Sequence, residues 1–175
     1  ARFGDDRSVI VKRRGPQVWP PIILRGIDNM QLASRVAYEI ERTEADACFV
    51  DQGAGSGVID RLRQLGHNPV EVPFGGKASD PTIYANRRTE MWCKLADWLR
   101  GGGAIPNDHD LKLELSTPIY WFDAQNRRVL ESKDDIKKRL QGGASPDIAD
   151  ALALTFAAPV QSSNPGDVLA TNALI

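Results

Sequence analysis

Two aspartates stand where elements of this chain meet loops, and their placement suits phosphodiester hydrolysis on a divalent cation. Asp51 closes the apolar run Ala47-Cys48-Phe49-Val50 and is followed by Gln52-Gly53-Ala54-Gly55-Ser56-Gly57. Asp147 follows Ser145-Pro146 at the head of a helix-like run that continues to Phe156. A carboxylate at a strand end and another in a helix's first turn can converge on one hard ion, for which carboxylate oxygens are the proper ligands. Asp150, three residues beyond Asp147, lies on the same helical face. Like charges stacked in this way repel unless a cation or base is near, which favours a metal. Simpler roles exist for each residue. Asp51 can cap the next helix, and Asp147 can complement a helix dipole.

The glycines after Asp51 let backbone approach a ligand or partner closely. They do not form a dinucleotide loop: the spacing is G-x-G-x-G, and no acidic residue ends a following strand. Gly75-Gly76-Lys77-Ala78-Ser79 lacks the upstream glycine and the hydroxyl residue directly after lysine that a phosphate loop needs. Cys48 and Cys93 fall in apolar patterns and read as buried thiols of a reducing compartment. With His67 and His109 they show no zinc-ligand spacing, and neither histidine is given a role.

The 175 residues suffice for one domain with a real core. The 42% hydrophobic and 26% charged fractions are those of a globular protein. No apolar stretch reaches the ~20 residues of a membrane span, and no signal peptide is visible. The net charge of -1 argues against general affinity for DNA, but the basic residues cluster. One group is Arg7, Lys12, Arg13 and Arg14, and a second is Arg87 and Arg88. The third comprises Arg127, Arg128, Lys133, Lys137, Lys138 and Arg139. A basic groove on a near-neutral protein can hold a phosphate backbone; solvated faces are the plain alternative.

The elements that must position these residues alternate between strand and helix. Strands are expected at Ser8–Lys12, Ala47–Asp51 and Val70–Phe74, with an extended stretch from Val18 to Ile27 broken by Pro20-Pro21. The spacing of Leu32, Val36 and Ile40 predicts a helix over Met30–Thr43, capped by Asp28 or Asn29. A second helix is expected from Gly57 to Leu65. A third, the longest, is expected to start at Asp80-Pro81 and end at Gly101-Gly102-Gly103. A short helix follows at Asp108–Leu115. Ile119–Phe122 and Arg128–Leu130 read as a hairpin within 118–130. Ser132 caps Lys133–Leu140 with Asp135 in a capping box, and a last helix spans Pro146 to Ala158. The pattern is α/β with a mixed β-sheet flanked by helices. Residues 1–158 form the domain, and 159–175, with Gln161-Ser162-Ser163-Asn164-Pro165-Gly166, read as a flexible tail.

Four segments together carry a resemblance: Phe3-Gly4-Asp5-Asp6-Arg7-Ser8; Val50-Asp51-Gln52-Gly53 through Gly57-Val58-Ile59-Asp60; Tyr84-Ala85-Asn86-Arg87-Arg88-Thr89-Glu90-Met91-Trp92; and Ser145-Pro146-Asp147-Ile148-Ala149-Asp150-Ala151-Leu152. In this order they resemble the C-terminal nuclease domain of the large terminase subunit of tailed bacteriophages. The resemblance implies an RNase H-like fold and an endonuclease that cuts concatemeric double-stranded DNA at packaging with two Mg²⁺ or Mn²⁺ ions. It implies metal-binding acids at Asp51 and Asp147 and an additional acid at Asp6; beside these, Asp6 or Asp150 is expected as an outer ligand. It also implies an acid on a first strand preceding Ala1-Arg2-Phe3, so the chain is expected to be a nuclease domain cut inside that strand, or one whose leading residues are not represented. Its implied partners are the terminase ATPase domain, the small terminase subunit and the portal protein, in the cytoplasm of the infected bacterial host. Arg127, Arg128, Lys133, Lys137 and Arg139, on the hairpin and basic helix, are expected to guide the duplex. The alternatives are a non-catalytic assembly module and another RNase H-like nuclease such as a junction resolvase.

Overall fold

The computed structural model describes residues 7–141, 145–162 and 171–174. Asp6 lies outside the described residues, so its expected place beside the site stays an expectation. In chain order the elements are β1 (Ser8–Arg14), β2 (Gln17–Val18), β3 (Ile22–Leu24), α1 (Asn29–Thr43), β4 (Ala47–Asp51), α2 (Gln52–Gln64), β5 (Val70–Val72), α3 (Arg87–Arg100), α4 (His109–Ser116), β6 (Tyr120–Phe122), β7 (Arg128–Leu130), α5 (Lys133–Arg139), α6 (Asp147–Leu154) and β8 (Thr171–Leu174).

The main sheet runs β2-β1-β8-β4-β5, with β3 also pairing β1. β1 is antiparallel to β2, β3 and β8, whereas β4 is parallel to both β5 and β8. The sheet is therefore mixed, as expected. β8 lies within the 159–175 stretch expected to be a flexible tail. Residues 171–174 form the central strand and join β1 to β4, which have no direct pairing in the sheet order. The physical reason is hydrogen bonding: the facing edges of β1 and β4 would otherwise leave peptide groups unpaired inside the fold.

Period-two alternation divides the core into two layers. Val9 and Val11 of β1 and Phe49 of β4 face α3, α4 and α6, packing with Met91, Leu95, Leu111, Ile148 and Leu152. Ile10 of β1 and Cys48 and Val50 of β4 face α1 and α2, packing with Leu32, Val36, Val58, Ile59 and Leu62. Among the described residues no helix is long and apolar enough to cross a membrane.

Local signals place most helix starts. Asp28 caps α1 in a full capping box with Gln31, and Ser132 caps α5 through the Asp135 N–H. The α3 start differs from expectation. The helix begins at Arg87, where Asn86 accepts from the Thr89 N–H at 2.8 Å. Asp80 instead closes a turn onto the Thr82 N–H at 3.0 Å. The intervening backbone is already used: Ile83 accepts from Arg128 N, and Ala85 N donates to Arg128 O. Pairing with β7 thus excludes a helix there.

Lys12 shares the α1-facing side with Ile10, and its Nζ lies 2.6 Å from Glu39, which is 1% exposed. Arg35 and Arg42 approach the same carboxylate at 2.9 and 2.8 Å. Burial alone would raise the Glu39 carboxyl, but Lys12 and Arg42 outweigh it and hold it down at about 2. The unfolded chain then takes up a proton more readily than the native protein. This stability is full above the ordinary glutamate value of 4.5 and is lost as pH falls toward about 2. Glu39→Gln is expected to lower stability at neutral pH by on the order of 3 kcal/mol. The gap to wild type should shrink in acid, as urea unfolding at neutral and acid pH checks.

Candidate metal centre

Asp51 ends β4 in phase with Phe49, so alternation assigns it to the α6 side of the sheet. It also caps α2, accepting from the Gly53 N–H at 3.1 Å. The capping role and the place at the site wall therefore coincide. Burial pushes the Asp51 carboxyl up; the Gly53 N–H and the Lys133 charge pull it partly back. The glycines that follow lie inside α2, which starts at Gln52 rather than Gly57. A Cβ on Gly55 would stand 2.5 Å from Val50 Cγ1, and one on Gly57 would stand 2.6 Å from Asn29 Nδ2. Their lack of a side chain lets α2 approach β4 and α1, and Gly53 and Gly55 also line a cavity beside Asp51.

The α6 terminus is fixed from outside the helix. Pro146 at its N-cap makes no side-chain cap bond. Glu114 of α4 accepts instead from the Ile148 and Ala149 N–H groups at 2.6 and 3.0 Å. Burial raises the Glu114 carboxyl; these two N–H groups and Arg7 oppose it. Arg7 Nη2 lies 2.9 Å from Glu114 Oε1 and 3.5 Å from Asp147 Oδ2, and donates to Ser145 O at 3.1 Å. Sequence reasoning missed Glu114. Its one signal was a charge three residues beyond Leu111, on the apolar line of α4.

Asp147 and Asp150 share a face, as expected, but differ in surroundings. Asp150 is 3% exposed. Its Oδ1 accepts from Arg88 Nε at 2.9 Å and from Trp92 Nε1 at 2.7 Å. Its buried Oδ2 receives no aligned hydrogen bond, although Lys133 Nζ lies 3.0 Å away. The same ammonium is 3.4 Å from Asp147 Oδ1. Burial would lower the Lys133 ammonium, but Asp150 and Asp147 more than offset it and keep it protonated. The cation needed between the stacked aspartates is thus supplied by the protein itself.

Asp51, Asp147, Asp150, Arg7, Lys133 and Lys137 line one cavity of about 690 Å³. Other expected DNA contacts are engaged elsewhere. Arg127 pairs with Asp123 at 2.7 Å, Arg139 with Glu131 at 2.7 Å, and Arg128 lies over the Tyr84 ring at 6.0 Å. The first two basic groups are also drawn into the structure. Arg13 hydrogen-bonds Thr155 at 2.9 Å, and Arg87 bonds Ser79 and Ala157 O. Of the expected contacts, Lys137 is both exposed and on the cavity wall.

The carboxylates suit a hard divalent ion in kind. Among the described residues no three acidic, histidine or cysteine side chains are close enough to hold one by themselves. Asp51 and Asp147 line one cavity and offer carboxylate oxygens to it, short of a complete ligand set.

A mixed sheet flanked by helices, with acids at the end of β4 and the head of α6 on one cavity, defines the class as an α/β domain. No protein-family model matches the chain, and no curated protein matches it. Solved structures do. The nuclease domain of the large terminase subunit of bacterial virus Sf6 is 19% identical, with a TM-score of 0.74 over 91% of this chain and 86% of that one. A mutant of that domain with manganese is 19% identical, with a TM-score of 0.68 over 86% and 83%. The large terminase nuclease of thermophilic phage G20c with bound magnesium is 18% identical, with a TM-score of 0.58 over 89% and 83%. The fold expected from the sequence is the fold these nucleases share.

Proposed function

We propose that this chain is the nuclease domain of a phage DNA-packaging terminase, an endonuclease that cuts concatemeric double-stranded DNA with two divalent ions, Mg²⁺ or Mn²⁺. One observation carries the reading. Asp51 from β4 and the Asp147–Asp150 pair from α6, nearly a hundred residues apart, meet on one cavity around a lysine cation. Likeness in fold to terminase nucleases, some solved with magnesium or manganese, supports it.

Asp51 and Asp147 would hold the metal, with Asp6 as an additional acid. Bound divalent ions supply Lewis acidity and lower the pKa of a bound water. Asp150, clamped by Arg88 and Trp92, fixes Lys133 at the carboxylates. Lys133 balances the charge of Asp147 and Asp150 and would offer its ammonium to a phosphate oxygen. Lys137 meets the duplex backbone at the cavity rim. The partners are duplex DNA, the terminase ATPase domain, the small terminase subunit and the portal protein, in the host cytoplasm.

The test is nicking of supercoiled plasmid with Mg²⁺ or Mn²⁺, with chelation and re-addition of metal. A protein that binds DNA without metal-dependent nicking would refute the enzymatic reading. Binding itself is expected to be sequence-tolerant and steeply salt-dependent, because phosphate contacts dominate it. Lys137→Ala should weaken binding to all sequences alike and flatten the salt slope by about one ion. An unchanged slope places the duplex elsewhere.

A further inference from the structure

The two carboxylate oxygens of Glu114 do different work. Oε2 accepts from the Ile148 and Ala149 N–H groups at 2.6 and 3.0 Å. These donors open α6, where Pro146 supplies no side-chain cap. Oε1 accepts from Arg7 Nη2 at 2.9 Å. Three donors, one of them charged, thus satisfy a carboxylate that has been taken out of water.

The Arg7 arm reaches the aspartate at the head of α6. Each terminal nitrogen of a guanidinium carries two N–H groups. Arg7 Nη2 gives one to Glu114 and the other to Ser145 O at 3.1 Å. That carbonyl also accepts from the Asp147 N–H at 2.8 Å, so Arg7 is tied to the turn entering α6. Asp147 Oδ2 lies 3.5 Å from the same nitrogen, whose hydrogens are already committed. Lys133 approaches the other oxygen, Oδ1, at 3.4 Å. Among the described residues, Oδ2 is therefore the Asp147 carboxylate oxygen that receives no hydrogen bond.

This division matters because arginine and carboxylate pair readily. A guanidinium fork matches a carboxylate and forms charge-assisted bonds to it. A carboxylate closed in that way is a poor ligand, since an arriving cation must displace the guanidinium and is repelled by it. Glu114 offers Arg7 a competing carboxylate. Its side chain is 9% exposed against 28% for Asp147, so its attraction is less screened by water.

We propose that Glu114 is a positioning residue for the metal centre, drawing Arg7 off Asp147 while fixing the α6 backbone from which Asp147 projects. Asp147 Oδ2 is thereby kept available to a divalent cation. The proposal deepens the metal-dependent reading and rests on it. Glu114 itself acts only through Arg7 and the helix backbone.

Glu114→Gln separates the two tasks. Its amide oxygen can still accept from Ile148 and Ala149, but an NH₂ group replaces Oε1 and meets Arg7 donor to donor. Arg7 then turns to Asp147. Titration calorimetry of the whole chain with Mn²⁺ alone should show affinity weakened about tenfold, the scale on which a paired cation alters a carboxylate. The double variant Arg7→Met, Glu114→Gln should return to within about threefold of wild type. Arg7→Met alone should bind Mn²⁺ at least as tightly as wild type. In plasmid nicking, Glu114→Gln should raise the half-saturating Mn²⁺ concentration about tenfold and leave the rate at saturation within about threefold. Wild-type Mn²⁺ affinity in Glu114→Gln, or a double variant as weak as the single one, overturns the proposal and leaves Glu114 a helix cap only. Weakened binding by Arg7→Met also overturns it, a test that stands even where Glu114→Gln does not fold. Mn²⁺ binding that follows the expected order without any nicking sinks the nuclease reading and supports the positioning role. Wild type that takes up no Mn²⁺ defeats the metal reading and the proposal with it.

Discussion

Replacing Asp51 by asparagine is expected to abolish metal-dependent cleavage and to raise the melting temperature of the metal-free protein. Asparagine caps a helix as well as aspartate does, so the Gly53 bond that starts α2 survives. What disappears is a charge that burial disfavours, since the Asp51 carboxyl lies above its ordinary 3.8. For such a group the native state binds the proton more readily than the unfolded chain. The destabilisation is then full at neutral pH and vanishes as pH falls through the raised value toward 3.8. The variant's advantage is thus greatest at neutral pH and fades in acid. Its sign reverses when saturating Mn²⁺ stabilises wild type alone. Cleavage is expected to fall by at least about 10²–10³-fold, the scale of losing a group that stabilises transition-state charge. Plasmid nicking and thermal melting with and without Mn²⁺ read both effects. Wild-type nicking by the variant sinks the assignment.

The two aspartates of α6 should separate into one that holds the fold and one that does chemistry. Asp150→Ala strands a buried Arg88 guanidinium and removes the acceptor of Trp92 Nε1. Breaking a buried pair by deleting one partner costs about 3–5 kcal/mol. Asp147 is different: its carboxylate is 28% exposed and its cationic neighbours are 3.4–3.5 Å away. Asp147→Ala should cost less than about 1 kcal/mol and yet eliminate cleavage. Urea unfolding of both variants, with nicking in parallel, checks the split. Near-neutral stability of Asp150→Ala, or unfolding caused by Asp147→Ala, would reverse the roles. A double-mutant cycle of Arg88→Met with Asp150→Leu isolates the pair, and its coupling should be at least about 2 kcal/mol.

What could be read without coordinates were the features encoded over a few neighbouring residues. Asp28 and Ser132 cap their helices because a short polar side chain reaches a backbone N–H group three residues on. The 3.6-residue repeat of α1 and the alternation of β1 and β4 set which side chains enter the two core layers. The same local logic placed Asp51 at a strand end and put Asp147 and Asp150 on one helical face.

The tertiary structure decided everything that depends on which distant groups meet. Lys133 and Arg139 sit on the helix expected to guide DNA, yet one turns to Asp147 and Asp150 and the other to Glu131. Nothing within α5 distinguishes an ammonium bound for water from one bound for a carboxylate. Glu114 as the cap of α6, and Arg88 as the link between Asp150 and the hairpin, span sequence separations of 34 and 62 residues. Residues 171–174 carry a weak strand signal of their own, and two unpaired backbone edges recruit them to the centre of the sheet. The sequence by itself determined which residues can carry charge, cap or pack, because those properties belong to the side chain and its near neighbours. Their partners were decided only by folding, because burial and pairing of charge depend on every element that closes around them.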